Sequence, residues 1–309
     1  MFACRLIDNI IALHNDLANR IYRHGRYKER HLWDPKHRLI HVASVRDRVL
    51  HHAIYRVLYP FFDRTFIGDS YSCRIDKGTH RAINRFRTMA YKVSRNHTRT
   101  CWVLKCDIKK FFASIDHEVL LQLLRGYIPD QDVMWLLGQV VKSFCTGVCG
   151  SPIAVEDDTV RRVGLPLGNL TSQLFSNIYM NELDRFAKHT LQAKYYIRYA
   201  DDFVFLHEDQ KWLENQILII RKFLQERSHL QLHPNKVTIG TFASGVDFLG
   251  WVHFTDHRVL RNATSRRMMR KIKERPTPET AQSYLGLLSH GNTFNVAQEV
   301  RMQHWFQTY

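Results

Sequence analysis

The sequence has 309 residues with 45% hydrophobic content, which is enough for one large domain or two modest ones and excludes a mainly disordered chain. Its 45 Lys and Arg against 29 Asp and Glu leave a formal charge of +16. This excess predicts a polyanionic partner, either nucleic acid or an anionic membrane surface, and a basic surface without a specific partner is the alternative.

The first predicted element is an amphipathic helix near the start of the chain. Apolar residues recur at helical spacing over residues 6–21, but charges such as Asp8 and Asp16 interrupt them, which argues against a signal peptide or a membrane span. Cys145 and Cys149 lie four residues apart, but no second Cys or His pair sits at zinc-finger spacing. We expect free thiols, no membrane association and a cytoplasmic location.

Basic residues are concentrated in two parts of the chain. Residues 20–99 hold 19 Lys and Arg against 6 Asp and Glu, interleaved with aromatic residues, and residues 261–275 hold seven Lys and Arg against one acid. Cations among aromatic rings are typical of surfaces that follow a phosphate backbone, with a solvated basic face as the alternative. The residues expected to contact nucleic acid are Arg46, Arg48, Arg266, Arg267, Arg270 and Lys271.

The middle of the chain begins with a strand and a helix. Residues 100–108 alternate between two faces and predict a half-buried strand, with Val103, Lys105 and Asp107 on the face expected to stay open. Asp116 then predicts the N-cap of a helix that ends near Gly126.

A second helix and a hairpin follow. Apolar residues at helical spacing predict a helix over residues 170–186, after the breaker-rich segment 164–168. Residues 194–199 and 203–206 predict two strands joined tightly through Ala200-Asp201-Asp202. This mixed order of strands and helices indicates an α+β fold rather than a regular βαβ alternation.

Three aspartates are candidates for chemistry. Asp201 and Asp202 alone are equally consistent with a solvated turn, because Asp is a common turn residue. Asp107 changes the balance as a further strand-borne carboxylate, since neighbouring strands would bring all three together and require a cation. Oxygen ligands of this kind suit Mg²⁺, and two bridged Mg²⁺ ions would activate a primer 3′-hydroxyl and stabilise the leaving pyrophosphate.

Motifs along the chain resemble those of reverse transcriptases. They are Ser70-Tyr71-Ser72-Cys73-Arg74, Lys105-Cys106-Asp107-Ile108-Lys109-Lys110-Phe111-Phe112, Ser114-Ile115-Asp116-His117, Tyr199-Ala200-Asp201-Asp202, Leu230-Gln231-Leu232-His233-Pro234-Asn235-Lys236 and Phe248-Leu249-Gly250-Trp251. The resemblance implies a right-hand polymerase architecture with fingers, a palm of antiparallel sheet plus helices, and a helical thumb. It places N-terminal helices and fingers at 1–99, the palm at 100–254 with a finger-like insertion at about 126–163, and the thumb at 255–309.

The same resemblance implies the site residues. Asp107, Asp201 and Asp202 are the implied catalytic carboxylates, and with Ile108 they hold two Mg²⁺ ions, for which Mn²⁺ can substitute. The substrates are deoxynucleoside triphosphates and a primer on template RNA, which yields an RNA/DNA duplex. The residues implied to contact the nucleotide are Ile108, Phe112, Arg74, Lys77, Leu167, Gln173 and Lys236.

Four of these residues have specific implied roles. Phe112 lies where the family places a steric gate that excludes a ribose 2′-hydroxyl, with a core phenylalanine as the alternative. Arg74 and Lys77 would reach the triphosphate, with template-backbone contact as the alternative. Lys236 would protonate the leaving pyrophosphate, and a solvated loop lysine is at least as consistent with the sequence.

Leu167 distinguishes this chain from most reverse transcriptases, which have a glutamine there against the incoming nucleotide. An aliphatic residue followed by Gly168 and Ser172-Gln173 resembles the enzymes of diversity-generating retroelements. That resemblance implies a bacterial or phage-encoded enzyme that copies a template-repeat RNA with errors chiefly opposite adenine, and a small basic accessory variability determinant protein as partner. Loss of a polar contact relaxes selection of the base pair, but does not explain the preference for adenine.

Two rival functions stay open. One is another small bacterial reverse transcriptase of the retron, group II intron-like or phage-defence type, which Leu167 and Ser172-Gln173 disfavour. The other is a basic RNA-binding protein that has kept a polymerase fold without activity, which the three intact carboxylates disfavour.

Overall fold

The helices and strands are described from a computed structural model that covers residues 5–33, 36–146, 161–275 and 277–308. The helices are α1 (Leu6–Ala18), α2 (Val45–Asp63), α3 (Thr79–Val93), α4 (Phe111–Ser114), α5 (His117–Arg125), α6 (Gln131–Lys142), α7 (Leu170–Arg185), α8 (Gln210–Arg227), α9 (Asn262–Glu274), α10 (Pro278–Leu288) and α11 (Phe294–Thr308). The expected insertion at about 126–163 falls partly outside these ranges, and Cys149 lies outside them. No helix in the described ranges is long and apolar enough to cross a membrane.

The strands form three antiparallel sheets. They are β1 (Lys28–Leu32), β2 (Arg38–Val42), β3 (Trp102–Asp107), β4 (Tyr196–Tyr199), β5 (Asp202–His207), β6 (Thr238–Thr241), β7 (Val246–Phe248), β8 (Trp251–His253) and β9 (Arg258–Leu260). β1 and β2 form a two-stranded ribbon, the order β4-β5-β3-β6 forms a central sheet, and β7-β8-β9 form a third sheet. This combination of helices and antiparallel sheets confirms the expected α+β class.

The local predictions for the middle of the chain are confirmed. Asp116 caps α5, because its side chain accepts hydrogen bonds from the backbone N–H groups of Glu118 and Val119 at 2.8 and 3.2 Å. The predicted hairpin is β4 and β5, with Tyr199 paired to Asp202 across the turn. The helix predicted over residues 170–186 is α7, which continues into a π-helical turn.

The expectation of an open face on β3 is only partly correct. Leu104 and Cys106 lie in a first hydrophobic cluster formed with α2 and α5 to α8. Val103, on the other face, is also buried, in a second cluster formed with α3 and the β7-β8-β9 sheet. The alternation of the sequence could not show this cover because the β7-β8-β9 sheet comes from a distant part of the chain. Only the Lys105 and Asp107 end of that face stays partly exposed.

The C-terminal helices belong to the second cluster. Met268 and Ile272 of α9, Leu288 of α10 and Val300 of α11 are all buried there. Arg258 of β9 joins this region to α3, since it donates to the side-chain oxygen of Asn84 at 2.7 Å. The C-terminal helices therefore pack on the same face of the central sheet that carries Asp107.

Candidate active site

The central sheet brings the three predicted carboxylates to one end of two strands. Asp107 at the end of β3 is directly opposite Asp202 at the start of β5. Ala200 and Asp201 form the two-residue turn before Asp202, and Ala200 has φ of 56°. The sequence-based expectation that these strands are neighbours is therefore confirmed.

Two lysines partner the carboxylates. The ammonium nitrogen of Lys236 lies 3.0 Å from both carboxylate oxygens of Asp107. The ammonium nitrogen of Lys105 lies 3.7 Å from Oδ1 of Asp202 and donates to the backbone oxygen of Asp247 at 2.9 Å. Oδ1 of Asp202 is buried without a hydrogen-bond partner. A buried carboxylate oxygen without a hydrogen bond is costly, so this position favours a cation.

Burial and mutual repulsion perturb the carboxylates. Burial, together with the negative charges of Asp107 and Asp202, raises the pKa of Asp201 to about 6. Burial likewise raises the pKa of Asp202, while Lys105 opposes the shift. Within the described ranges, no group of three acidic, His or Cys side chains lies close enough together to hold a metal ion. Carboxylates of this kind provide the hard oxygen donors that Mg²⁺ requires.

The position of Lys236 follows from the loop that carries it. Lys109 N–H donates to Gln231 O at 2.9 Å, and His233 N–H donates to Asp107 O at 2.8 Å. Between these two hydrogen bonds, the buried Ile108 forms an antiparallel β-bridge with Leu232. The loop is thus fixed along the end of β3, which delivers the Lys236 side chain to Asp107.

Phe112 lies next to the segment that carries Leu167. It is in the short helix α4, packs partly buried against the first cluster and meets Phe111 edge to face. Its backbone oxygen accepts from Leu165 N–H at 2.7 Å. Phe112 therefore contacts both the core and the Leu167 segment, and its role as a gate stays a prediction.

Leu167 is half-buried in a segment fixed to the β1–β2 ribbon. Its backbone oxygen accepts from His41 N–H at 2.9 Å, and the Asn169 side chain donates to His41 O at 2.9 Å. Gly168 has φ of 102°, and a Cβ there would lie 2.5 Å from Cγ2 of Ile40. Glycine is therefore required for this close approach. Gln173, in the first turn of α7, is half-buried nearby in sequence.

The ribbon contributes cations that the sequence analysis did not single out. Directly opposed residues of an antiparallel pair share a face, and Arg30 is opposite Ile40 while Lys28 is opposite Val42. Arg38, two residues before Ile40, is on the same face. This is the face on which Ile40 meets Gly168. The alternation of cations in Lys28-Glu29-Arg30 was a usable signal, but β1 is exposed throughout and lacks the apolar pattern of a strand.

Arg74 and Lys77 both bond to residues that precede them in the chain. Nε of Arg74 donates to the Asp63 carboxylate at 2.6 Å, and three further N–H groups donate to the backbone oxygens of Ile67, Ser70 and Asp63. The Arg74 side chain is only 6% exposed. The ammonium group of Lys77 donates to Gly68 O at 2.7 Å. The structure does not test their predicted contact with the triphosphate, but it shows that Arg74 already has a structural role.

The predicted nucleic-acid contacts differ in their exposure. Arg46 pairs with Asp16 and lies over the ring of Tyr22 at 5.0 Å, whereas Arg48 is exposed. On α9, Arg266 and Arg270 are exposed and Arg267 and Lys271 are half-buried. Because Met268 and Ile272 anchor the opposite side of α9, the exposed Arg266 and Arg270 form an outward basic face.

The fold and this site can now be compared with known proteins. The chain is 26% identical over 94% of its length to protein YkfC of Escherichia coli, of which it covers 81%. It is 22% identical over 78% of its length to the group II intron-encoded protein LtrA of Lactococcus lactis, of which it covers 47%. Among solved structures, telomerase from Candida albicans in complex with a telomeric RNA fragment matches with a TM-score of 0.56 and 14% identity. That match covers 90% of this chain and 54% of the telomerase chain.

The telomerase match supports the right-hand polymerase fold. It supports nothing beyond the fold, because only 14% of the aligned residues are identical. The model of the reverse transcriptase (RNA-dependent DNA polymerase) family matches residues 28–253, which contain the β1–β2 ribbon, the three aspartates and the central sheet. A match over this much of the sequence shows that the chain belongs to the reverse transcriptase family.

Proposed function

We propose that the chain synthesises DNA on an RNA template, with Asp107, Asp201 and Asp202 as the catalytic carboxylates. The observation that supports this most directly is the opposition of Asp107 and Asp202 beside the half-buried Asp201, at the end of two paired strands. Lys105 and Lys236 already supply positive charge there, and Oδ1 of Asp202, which has no hydrogen-bond partner, fits a further cation. Two bound Mg²⁺ ions would supply charge neutralisation and Lewis acidity for nucleotidyl transfer.

The chain's own residues provide the rest of the substrate site. The cationic ribbon face of Lys28, Arg30 and Arg38 is suited to hold the triphosphate, because guanidinium and ammonium groups bind phosphate oxygens strongly. Phe112 would lie beneath the sugar and exclude a 2′-hydroxyl. Lys236 would donate a proton to the leaving pyrophosphate as its contact with Asp107 is released.

The outward basic face of α9 is suited to the backbone of the template–primer duplex. Arg266 and Arg270 present charge on one side of the helix, while Arg270 also lies 3.7 Å from the Glu274 carboxylate. Phosphate contacts of this kind release counterions, so binding of a primed RNA should weaken steeply as salt increases. A shallower salt dependence in a variant that lacks both arginines would locate the contact there.

For the biological role, we propose mutagenic copying of a template-repeat RNA in a diversity-generating retroelement, together with a small basic accessory protein. Leu167 supports this proposal, since its backbone is fixed by His41 and its aliphatic side chain cannot make a directed hydrogen bond to a base pair. The alternative is a group II intron-like role, which the similarity to LtrA supports. Both roles use the same catalytic site.

One experiment distinguishes these roles. A defined RNA would be copied by the purified chain, and the products would be sequenced with and without a basic protein encoded beside it. Errors concentrated opposite adenine support the retroelement role, whereas uniform and infrequent errors support the group II intron-like role. Absence of any DNA product under both conditions, with RNA still bound, would contradict the catalytic proposal.

A further inference from the structure

A fully buried arginine lies behind the catalytic turn. Arg198 in β4 and its partner Asp184 in α7 both have 0% exposed side chains. The five N–H donors of the guanidinium all have acceptors. These acceptors are the two carboxylate oxygens of Asp184, the side-chain oxygens of Asn177 and Ser70, and the backbone oxygen of Ala200.

The acceptors belong to three different parts of the molecule. Asp184 and Asn177 are on α7. Ala200 precedes Asp201 in the turn between β4 and β5, and Ser70 belongs to the segment of residues 69–72. The backbone of Arg198 also bonds that segment, since Arg198 N–H donates to Asp69 O and Tyr71 N–H donates to Arg198 O, both at 3.0 Å. The Asn177 amide donates to Ser72 O at 2.9 Å. Arg198 therefore connects the fingers segment, here residues 69–72, to the catalytic turn.

The turn needs such support because of its backbone. Ala200 has φ of 56°, a left-handed conformation that is unfavourable for a residue with a Cβ. The bond of 3.0 Å from Arg198 Nη1 to Ala200 O fixes the peptide between Ala200 and Asp201. A buried ion pair contributes little net stability because both charges lose their hydration. Its geometric effect on the turn is the larger consequence.

We propose that Arg198 is a positioning residue for catalysis, which holds the Ala200–Asp201 turn and aligns it with the fingers segment. This proposal rests on the proposed function, which assigns Asp201 to the reaction. The planar guanidinium is essential, because an ammonium group has three donors and cannot make the paired bonds to Asp184 while it also reaches Ala200 and Ser70.

The test compares Arg198→Lys with the parent enzyme on a DNA-primed RNA template. We expect the rate of nucleotide addition in the pre-steady-state burst to fall by about tenfold or more, because misplacement of a reacting group is costly. The burst amplitude per folded molecule and the Kd for the primed template should stay within about twofold, since the substrate-binding cations are untouched. The half-saturating Mg²⁺ concentration should rise. A lower amplitude with an unchanged rate would show a purely structural role and overturn the proposal.

The matched control is Arg85→Lys. Arg85 makes a paired contact with Asp69 at 2.7 and 3.3 Å on the same fingers segment, but its side chain is 41% exposed and does not touch Ala200. Its rate and Mg²⁺ dependence should be close to those of the parent. An equal loss of rate in this control would show that the effect comes from the fingers segment in general, which contradicts the proposal.

Ala200→Gly provides an independent test through a double-mutant cycle. Glycine adopts positive φ readily, so the turn should depend less on Arg198. We expect Arg198→Lys to cost several-fold less rate in the Ala200→Gly background than in the parent. Equal losses in both backgrounds would overturn the proposal. Substantial synthesis by Asp201→Asn would instead contradict the proposed function, so the two failures are distinguishable.

Discussion

Asp107 and Asp202 are directly opposed residues of the antiparallel strands β3 and β5. Side chains of directly opposed residues lie on the same face of a sheet. A slip of one residue in this register would move Asp202 to the opposite face, into the first hydrophobic cluster. The register of the central sheet is therefore a condition for the site, and the hydrophobic alternation of both strands maintains it.

The first prediction concerns the carboxylates. Asp107→Asn and Asp201→Asn should each reduce DNA synthesis to below about a few per cent of the parent, because an amide is a poor ligand for a divalent cation. Binding of primed RNA, measured by anisotropy, should persist since the basic surfaces are intact. Asp256→Asn is the control, as Asp256 is 79% exposed and pairs with its neighbour His257. Synthesis by either active-site variant at the level of this control would refute the assignment.

The second prediction concerns sugar selection. Phe112→Val should raise incorporation of ribonucleotides relative to deoxynucleotides, because a smaller side chain leaves room for the 2′-hydroxyl. Competition assays that measure both kcat/KM values would give the ratio. Phe112 is partly buried, so thermal unfolding must show that the variant is folded. An unchanged ratio in an active variant would leave Phe112 as a core residue only.

The third prediction concerns fidelity at Leu167. Leu167→Gln should lower misincorporation opposite template adenine by several-fold, because one restored hydrogen bond contributes about 1 kcal/mol. The effect opposite other template bases should be smaller. Products copied from one RNA at matched extension would be sequenced, with Leu218→Gln as control because Leu218 is 71% exposed on α8. Unchanged adenine errors would place the determinant elsewhere, for example at Gln173 or in the partner protein.

The fourth prediction concerns Lys236. Lys236→Arg keeps the positive charge near Asp107 but replaces a proton donor by a group that does not deprotonate. If Lys236 protonates pyrophosphate, single-turnover addition should slow by about a hundredfold, which is the low end for loss of a general acid. Equal rates for the variant and the parent at saturating Mg²⁺ would limit Lys236 to an electrostatic role.

The fifth prediction concerns acid sensitivity. Burial lowers the pKa of His51 to about 4, and its ring contacts the Thr171 hydroxyl at 2.6 Å and His24 at 3.0 Å. The unfolded chain binds a proton near pH 6.5 that the folded chain does not, so this group's contribution is present above pH 6.5 and is lost as the pH falls towards 4. Between pH 7.5 and 5 the loss should be about 1–2 kcal/mol.

Urea unfolding of the parent and of His51→Gln at both pH values measures this difference. The variant should be less stable at pH 7.5 because its contact with Thr171 is altered, but it should lose less free energy of unfolding on acidification. A parallel loss in both proteins would assign the acid sensitivity to other groups, such as His253, whose pKa burial lowers to about 3.

The sequence predicted what depends on local pattern. The hairpin around Asp201, the cap at Asp116 and the strand that ends at Asp107 were all recognisable, because alternation and turn chemistry act over a few residues. The ribbon face of Arg30 and Arg38 was not recognised, since an exposed ribbon has no apolar face to reveal it. These cations gain significance only from the contact of Ile40 with Gly168, which joins segments far apart in the chain.

The specific hydrogen-bond partners of buried side chains could not be predicted either. Arg74 was expected at the triphosphate, and nothing in the sequence shows that Asp63 and three backbone oxygens hold its side chain. The bond of Arg198 to Ser70 spans 128 positions in the sequence. Pairings of this kind follow from tertiary packing, so one sequence without related sequences contains no signal for them.

The packing of Gly291 against Trp251 has a consequence for how the protein unfolds. A Cβ at Gly291 would lie 2.1 Å from Cζ3 of Trp251, so the loop between α10 and α11 is seated directly on the β7–β8 hairpin. Val204 of the central sheet shares its hydrophobic cluster with Met268. The C-terminal helices and one face of the central sheet therefore share a core and should exchange amide protons as one cooperative unit. A fragment ending at residue 254 would expose Trp251 and aggregate, because helices α9 to α11 should fold together with the sheets and not as a separate unit.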